Sequence, residues 1–172
     1  MSQIVKFSGA ARSSLLTAAL ALTLACSTVG PSEHLTPRVA DLGIGIDEDE
    51  VLAQLGQPLE IFDHADEELF DMGPTREFQF PGLKVSLCKP PSETTFRVWK
   101  FEVSSSAWHI EPNLSIGHSQ EAVRRNLGAP DSVRESPEGT VWHYSIREFD
   151  GWLAATFVDD RLVSFVLAED WS

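Results

Sequence analysis

Only one short segment of this chain carries residue types whose spacing could support catalysis. Ser86-Leu87-Cys88-Lys89 has the spacing Ser-x-x-Lys, in which a lysine beside a serine can activate the hydroxyl as a nucleophile. That chemistry requires the pair at the start of a helix. Apolar and polar residues alternate from Leu83 to Cys88 instead, which indicates a strand. We therefore predict no catalytic role for this segment, and we predict that Cys88 is a small, half-buried strand residue.

The histidines and acids of the chain do not form a set of metal ligands. No histidine is spaced with Cys88 or with an acid as zinc ligands are, so we predict no metal and no cofactor. Calcium is the one alternative, because four acids lie close together, but no glycine occupies the turn that a calcium loop needs. The histidines are His34, His64, His109, His118 and His143, and the four acids are Asp63, Asp66, Glu67 and Asp71.

Other catalytic signatures are missing from the sequence. It contains no Gly-x-Ser-x-Gly, no glycine loop that could hold a phosphate and no dinucleotide-binding fingerprint. The glycines cluster at predicted turns and helix ends. Because no catalytic constellation is visible, the sequence predicts a protein that is not an enzyme.

The residues that do recur with fixed spacing are structural. The segment from Ile44 to Pro58 returns 72 positions later, without a gap, as the segment from Ile116 to Pro130. Six positions are identical, and their residue types (Ile, Gly, Val, Leu, Gly and Pro) are not reactive. A repeat of this kind indicates a duplicated folding unit.

Each copy of this repeat predicts a short helix. Asp47 and Ser119 occupy the N-cap position, where a side-chain oxygen can accept a hydrogen bond from an unpaired backbone N–H, and Glu50 would complete a capping box in the first copy. Residues four apart mark one buried stripe on each helix, and a glycine ends each helix. We predict a further short helix over residues 36–42, ahead of the first repeat. The stripe residues are Val51 and Leu55, then Val123 and Leu127, and the helix ends are Gly56 and Gly128.

The N-terminus predicts export from the cytoplasm. Lys6 and Arg12 precede a short apolar run from Leu15 to Ala25, which is typical of a signal peptide over residues 1–25. Thr23-Leu24-Ala25-Cys26 resembles a bacterial lipobox, so we expect lipidation at Cys26 and a tether over residues 26–35. By resemblance to lipoproteins of Gram-negative bacteria, Ser27 permits transport to the outer membrane, where the protein would face the periplasm. The alternative is ordinary signal cleavage, which leaves a soluble secreted or periplasmic protein; only then could Cys26 form a disulfide with Cys88.

The charge of the chain excludes some partners. From Cys26 onward the chain keeps all 26 Asp and Glu but 11 of its 13 Lys and Arg, a formal charge of −15. Such a charge argues against nucleic acid and against broad contact with anionic lipid headgroups. Ten acids lie between Asp47 and Asp71, a stretch without Lys or Arg, and they indicate a solvated face.

The sequence after each helix predicts three strands. Residues 76–80, 83–88 and 97–103 form the first set, and residues 140–146, 152–158 and 161–167 form the second, with a tight turn at Asp159-Asp160. Alternation separates two faces of each sheet. The core face is predicted to hold Phe78, Phe80, Leu83, Val85, Leu87, Trp99, Phe101 and Val103 in the first copy, and Trp142, Tyr144, Leu153, Ala155, Phe157, Val163, Phe165 and Leu167 in the second.

The opposite face differs between the copies. It is charged in the first copy, whereas the second copy has small or apolar residues there: Lys84 corresponds to Ala154, and Glu102 corresponds to Val166. An apolar sheet face needs a covering, either another part of this chain or a protein partner. The candidate partner-binding residues are Val141, His143, Trp152, Val158, Leu162 and Val166.

The motif Gly-x-polar-x-x-x-Val-x-x-x-Leu-Gly-x-Pro, followed by Val141-Trp142-His143-Tyr144, resembles the BamE-type (SmpA/OmlA) outer-membrane lipoproteins. Two such units in tandem resemble the β-lactamase-inhibitor-protein (BLIP) fold. The resemblance implies an α+β fold, a tandem repeat of two units, each a short helix pair followed by a three- to four-stranded antiparallel sheet. The units would span residues 36–107 and 108–172.

Together these features predict a lipid-anchored protein of the cell envelope that binds another protein without catalysis, for example as an accessory of outer-membrane assembly or envelope maintenance. The alternative function is that of an inhibitor or immunity-type protein. Its acidic stretch from Asp47 to Asp71 would then engage a basic active site of a secreted or periplasmic enzyme.

Overall fold

The computed structural model describes residues 37–64 and 72–171. The predicted signal peptide (1–25), the lipidation site Cys26, the tether (26–35) and three acids of the calcium alternative, Asp66, Glu67 and Asp71, lie outside the described residues. Within the two described ranges, no helix is long and apolar enough to cross a membrane.

The fold is dominated by one antiparallel sheet of eight strands, with a separate pair of two-residue strands. The small pair is β1 (Arg38–Val39) with β6 (Ile110–Glu111). The strands of the large sheet are β2 (Glu60–His64), β3 (Thr75–Phe80), β4 (Leu83–Cys88), β5 (Arg97–Val103), β7 (Ser132–Ser136), β8 (Gly139–Ile146), β9 (Gly151–Val158) and β10 (Arg161–Glu169).

Two helices of eight residues, α1 (Glu48–Leu55) and α2 (Gln120–Leu127), pack on one face of this sheet. They lie where the repeat predicts them, and they end at Gly56 and Gly128, whose positive φ angles of 77° and 83° suit glycine. Helices this short gain their stability from docking. The caps differ: Ser119 accepts a bond from the backbone N–H of Ala122, whereas Asp47 makes no such bond.

The strand order of the large sheet is β2-β3-β4-β5-β10-β9-β8-β7. From the central pair, β5 and β10, each half runs outward from its last strand to its first. The first half, α1 with β2 to β5, and the second half, α2 with β7 to β10, therefore follow the same path and meet where β5 pairs with β10. Equivalent backbone bonds tie each helix entry to the last strand of its half. Gly45 N–H donates to Val98 at 2.8 Å, and Gly117 N–H donates to Leu162 at 2.7 Å.

The predicted fold class is wrong in two respects. Over residues 37–64 and 72–171 there is no helix pair in either unit, because the segment predicted as a first helix forms β1 and a turn in which Ala40 and Asp41 have positive φ. There are also not two separate sheets. The last strands of the two halves, β5 and β10, pair with each other, with Val166 opposite Glu102 and Phe165 opposite Val103. Pairing β5 with β10 removes two exposed strand edges, which is the physical gain of the merger.

A bulge in each central strand corrects two of the predicted core positions. Trp99 has no partner of its own between the pairs Lys100–Ser86 and Val98–Leu87. The extra residue shifts the alternation by one, so Val98 points into the core and Trp99 is half-exposed. The same shift occurs in β10, where Leu162 is fully buried and Val163 is exposed.

The core is a single cluster that includes side chains of both helices and of both halves of the sheet. Each buried stripe residue of the repeat contributes to it, with Val51 and Val123 fully buried. Tyr144 links β8 to the end of α2, since its hydroxyl donates to the carbonyl of Gly128 at 3.4 Å. Burial raises the pKa of this phenol. One face of the sheet is thus occupied by the helices, and the opposite one, called here the outer face, carries the candidate site.

Candidate protein-binding face

The strand register aligns the side chains of the outer face in rows that cross the whole sheet. One row runs from β7 to β2 through Ser132, His143, Ala154, Val166, Glu102, Lys84, Gln79 and Glu60. A parallel row runs from β8 to β2 through Ser145, Trp152, Ala168, Lys100, Ser86, Glu77 and Phe62. Each row passes from neutral residues in the second half to charged residues in the first.

Four charged residues in the first half of the outer face form ion pairs with one another. Glu102 lies between Lys100 Nζ at 2.7 Å and Lys84 Nζ at 3.3 Å, and Lys84 is also 3.7 Å from Glu77. Partial burial alone would raise the pKa of Glu102. The hydrogen bond and charge of Lys100, together with Lys84, outweigh that effect and hold the pKa below its usual value. These four residues therefore form one ion-pair network, and Glu60 on the edge strand β2 lies outside it.

The second half of the outer face carries a charged residue, Arg134, on its edge strand β7, opposite Val141, whereas the rows across β8 to β10 hold small or uncharged side chains. We call these side chains on β8 to β10 the small-residue patch. Ala154 and Ala168 at its centre are buried by their neighbours, whereas the other members remain partly exposed. The patch consists of Val141, His143, Trp152, Ala154, Thr156, Ser164, Val166 and Ala168. Since it has no charged member, a partner could cover it without stripping water from an ion.

The structure brings four of the six predicted partner-binding residues into this patch: Val141, His143, Trp152 and Val166. Val158 is 40% exposed and follows at the end of β9, beside the turn to β10. The placement of Leu162 on the outer face is wrong, because the bulge at Val163 turns Leu162 into the core.

Sequence reasoning missed a second exposed apolar region, at the sheet edge. Leu59, Ile61 and Phe62 are 72%, 49% and 44% exposed, and they lie in or next to the edge strand β2. The sequence signal was weak, because Glu60 and Asp63 interrupt the apolar residues and the strand has only five residues.

The Ser-x-x-Lys segment forms β4 and its end, as the alternation predicts. Ser86 is 2% exposed on the outer face, and its hydroxyl has no hydrogen-bond partner among the described protein atoms. Lys89 lies over the ring of Phe96, 5.4 Å from its centre. Cys88 is fully buried rather than half-buried, and burial raises the pKa of its thiol to about 11. A thiol with that pKa is a poor nucleophile near neutral pH.

Two residues of the acidic stretch, Asp63 and Glu48, are engaged by Arg76. Asp63, a member of the calcium alternative, accepts hydrogen bonds from Arg76 at 2.6 and 3.2 Å, and this contact holds the pKa of Asp63 below its usual value. Arg76 also bonds Glu48 at 2.7 Å. Over residues 37–64 and 72–171, no three or more His, Cys, Asp or Glu side chains are grouped as metal ligands.

A shallow depression of about 210 Å³ lies at the border of the charged network. Lys84 and Glu102 line it on one side, and Ser164 lines it from the second half. Sites for small-molecule ligands usually enclose roughly 300–1,000 Å³ and are mostly apolar. The outer face therefore resembles a contact surface more than a ligand pocket.

Comparison with known proteins gives no family. No family model matches the chain, and no curated protein sequence matches it. Among solved structures, an extracellular SCP-domain protein from Bacillus anthracis is 16% identical, with a TM-score of 0.46 over 74% of this chain. A cysteine-rich secretory protein from Staphylococcus aureus is 10% identical, also with a TM-score of 0.46 over 74% of this chain. In both matches the aligned region is 44% of the other chain.

A third match is a DUF4309-family protein from Bacillus subtilis, 14% identical, with a TM-score of 0.42, covering 72% of this chain and 78% of the other. The resemblance to BamE-type lipoproteins and BLIP-like proteins is wrong, because no family model matches the chain and its fold is mostly one large antiparallel sheet, not two units that each have a helix pair and a sheet of their own. The first two structures are of extracellular or secretory proteins. For this chain, export from the cytoplasm stays a prediction from its N-terminal sequence.

Proposed function

We propose that this chain is a non-enzymatic protein-binding module that acts outside the cytoplasm, and that the small-residue patch contacts its partner. The observation that carries this proposal is the asymmetry of the outer face. Glu77, Lys84, Lys100 and Glu102 pair with one another in the first half. The small-residue patch on β8 to β10 of the neighbouring half has no charged member and is partly exposed, with Arg134 beside it on the edge strand β7.

The composition of the patch supports a protein partner. The centres of protein–protein interfaces are depleted of charged residues and enriched in aromatic ones, with a polar rim around them. Trp152 and His143 are the side chains that could anchor such a contact, since each presents an apolar ring with a polar atom. The ion-pair network beside the patch would form part of the rim.

A matched pair of substitutions in β10 tests the role of the patch. Val166 belongs to the patch, whereas Val163 is exposed at the bulge and outside the rows that form it. Val166→Lys places a charge in the proposed contact and should weaken partner binding at least about tenfold, roughly 1.4 kcal/mol. Val163→Lys is the control of the same residue type and strand, and it should bind normally.

The partner is first identified by a photo-crosslinking residue in place of His143 in intact cells, and its affinity is then measured with purified components. Circular dichroism is used as a control to check that both lysine variants are folded. If Val166→Lys binds as tightly as Val163→Lys, the patch is not the contact. Crosslinks from position 143 to many unrelated proteins in similar amounts would also contradict the proposal.

Anchoring by lipid is a separate part of the proposal. Acylation of Cys26 would hold the module on a membrane, with the outer membrane as the predicted location. Cys26→Ala in the full chain should move the protein from the membrane fraction to the soluble fraction, and metabolic labelling with palmitate should be lost. If the unsubstituted chain already fractionates as soluble and takes up no label, the protein is secreted or periplasmic.

The inhibitor alternative relies on the acidic stretch from Asp47 to Asp71. Two of its acids, Glu48 and Asp63, are engaged by Arg76, so fewer charges face a partner than the sequence implies. Asp49 and Glu50 remain exposed on α1. Binding through these acids would associate faster at low salt, whereas binding through the neutral patch would depend little on salt. The salt dependence of the association rate therefore separates the two functions.

A further inference from the structure

The two edges of the large sheet differ in a way that concerns self-association. The edge strand β2 exposes Ile61 and Phe62, with Leu59 next to it, whereas the opposite edge strand β7 exposes one apolar residue, Val133. β7 also carries Arg134 and Glu135. Charges on an edge strand discourage pairing, but β2 also carries two, Glu60 and Asp63, so the difference between the edges lies in the exposed apolar residues of β2, which favour pairing.

The hydrogen bonds of β3 determine which backbone groups of the edge strand β2 point away from the sheet. Lys89 N–H donates to the carbonyl of Pro74, so even-numbered residues of β3 direct their backbone groups toward β4. The odd-numbered residues of β3 then bond to β2, where Gln79, Glu77 and Thr75 face its three even-numbered residues. The backbone N–H and C=O of Ile61 and Asp63 therefore point away from the sheet.

We propose that two copies of this chain pair through β2, antiparallel, about a twofold axis at Phe62. In this register Ile61 and Asp63 of one copy exchange backbone hydrogen bonds with Asp63 and Ile61 of the second copy. Phe62 faces Phe62 of the second copy, and Glu60 faces His64 of the second copy. Because the same strand is used by both copies, the contact closes as a dimer and does not extend into a fibre.

The side chains of β2 are complementary to themselves in this register. On the outer face, an aromatic pair at the axis is flanked on both sides by a carboxylate opposite an imidazole, and cross-strand pairs of these kinds stabilise antiparallel sheets. On the other face, Ile61 would lie opposite Asp63. The carboxylate of Asp63 is already held by Arg76 at 2.6 Å, so its charge is partnered.

The opposite edge lacks this complementarity. A twofold axis at Arg134, the central residue of β7, would place two guanidinium groups opposite each other, which is unfavourable. The dimer through β2 also leaves the small-residue patch free, since the patch lies on β8 to β10, beyond three other strands. Self-association is therefore independent of the proposed partner contact.

A cysteine at the axis tests the pairing in cells that produce the full chain. Phe62→Cys would face its own copy at a Cα separation of roughly 4.5 Å, within the range of disulfides. We expect a disulfide-linked species of twice the chain mass on non-reducing gels. Val133→Cys is the matched control, because Val133 is 53% exposed on the opposite edge of the sheet. It should give no more of the linked species than the unsubstituted chain, whose two cysteines, Cys26 and Cys88, set the background.

A charge exchange tests the register. In the Phe62→Cys chain, Glu60→Arg should reduce the yield of the linked dimer about tenfold, and adding His64→Glu should restore it. The proposal is overturned if Phe62→Cys yields no more dimer than Val133→Cys, if the linked product contains a different protein, or if His64→Glu fails to restore the yield. Val166→Lys should leave the dimer unchanged, which separates this result from the test of the patch.

Discussion

Arg97 and Glu169 form a two-bonded ion pair across the junction of the two sheet halves. The guanidinium donates at 2.8 and 3.3 Å to the two carboxylate oxygens, and both side chains are about four-fifths buried. Arg97 also bonds Glu93 at 3.1 Å and lies over the ring of Trp171, 5.1 Å from its centre. This contact joins β5 to the end of β10, where the two halves meet.

Removing Arg97 should therefore weaken the junction. Arg97→Ala leaves Glu169 partly buried without its charge partner, and we expect the free energy of unfolding to fall by about 2 kcal/mol. The equivalent residue in the second half, Arg161, is exposed and makes one bond to the carbonyl of Gly117, so Arg161→Ala should cost less than about 0.5 kcal/mol. Urea denaturation measures both values, and equal losses would contradict the role of Arg97.

The bulge in β10 predicts opposite effects for two neighbouring residues. Leu162 is fully buried, so Leu162→Ala should lower the free energy of unfolding by about 2–5 kcal/mol. Val163 is 38% exposed, so Val163→Ala should change it by less than about 0.5 kcal/mol. Regular alternation without a bulge would give the reverse order, which makes thermal or urea denaturation of the two variants a direct test of the bulge.

Cys88 should resist alkylation in the folded protein. It is fully buried, and burial raises the pKa of its thiol from 9.0 to about 11. Iodoacetamide at pH 8 should modify it only after unfolding, which mass spectrometry of the peptide detects. Fast modification of the native chain at this site would show that β4 opens or that the thiol is accessible.

The same raised pKa gives Cys88 a pH-dependent contribution to stability. The contribution is fully present below pH 9.0, where both the folded and unfolded states are protonated, and it is lost as the pH rises toward about 11. The free energy of unfolding should therefore fall less steeply over this range in Cys88→Ala than in the unsubstituted chain. Parallel curves for the two proteins would contradict this assignment.

Glu102 should stabilise the protein at neutral pH and lose that effect in acid. Its pKa is held below the usual 4.5 by Lys100 and Lys84, so its contribution is complete above this value and disappears as the pH falls through the lowered folded pKa. Glu102→Gln should be less stable at pH 7 and should show a weaker loss of stability below pH 4.5. Ser104→Ala, an exposed change just beyond β5, is a control that should keep the full acid dependence.

Some of the fold could be predicted from local patterns. The two helices and six of the ten strands lie at or near their predicted bounds, because each combines an apolar period with a glycine or turn signal at its end. The turn at Asp159-Asp160 also forms, with positive φ at both residues. The edge strands β2 and β7 were missed since both are mostly exposed and bury too few side chains to show alternation.

The candidate site was predicted only in part. His143, Trp152 and Val166 share the patch because alternation is regular along β8 and β9 and along the part of β10 that follows its bulge. Leu162 does not lie on the predicted outer face, because Val163 has no partner in the ladder and the alternation of side chains reverses at that point of β10. A bulge is set by the fit of a strand to its neighbours, and a single sequence does not record that fit.

The sequence by itself determined the local elements, the duplicated helix with its glycine end and the acidic charge, since each depends on residues close together in the chain. Only the tertiary structure decided that the two halves share one sheet, that Arg97 pairs with Glu169, and that no described strand pairs with the outer edge of β2 at Phe62. These features join residues far apart in sequence, and their free energy comes from pairing whole strand edges.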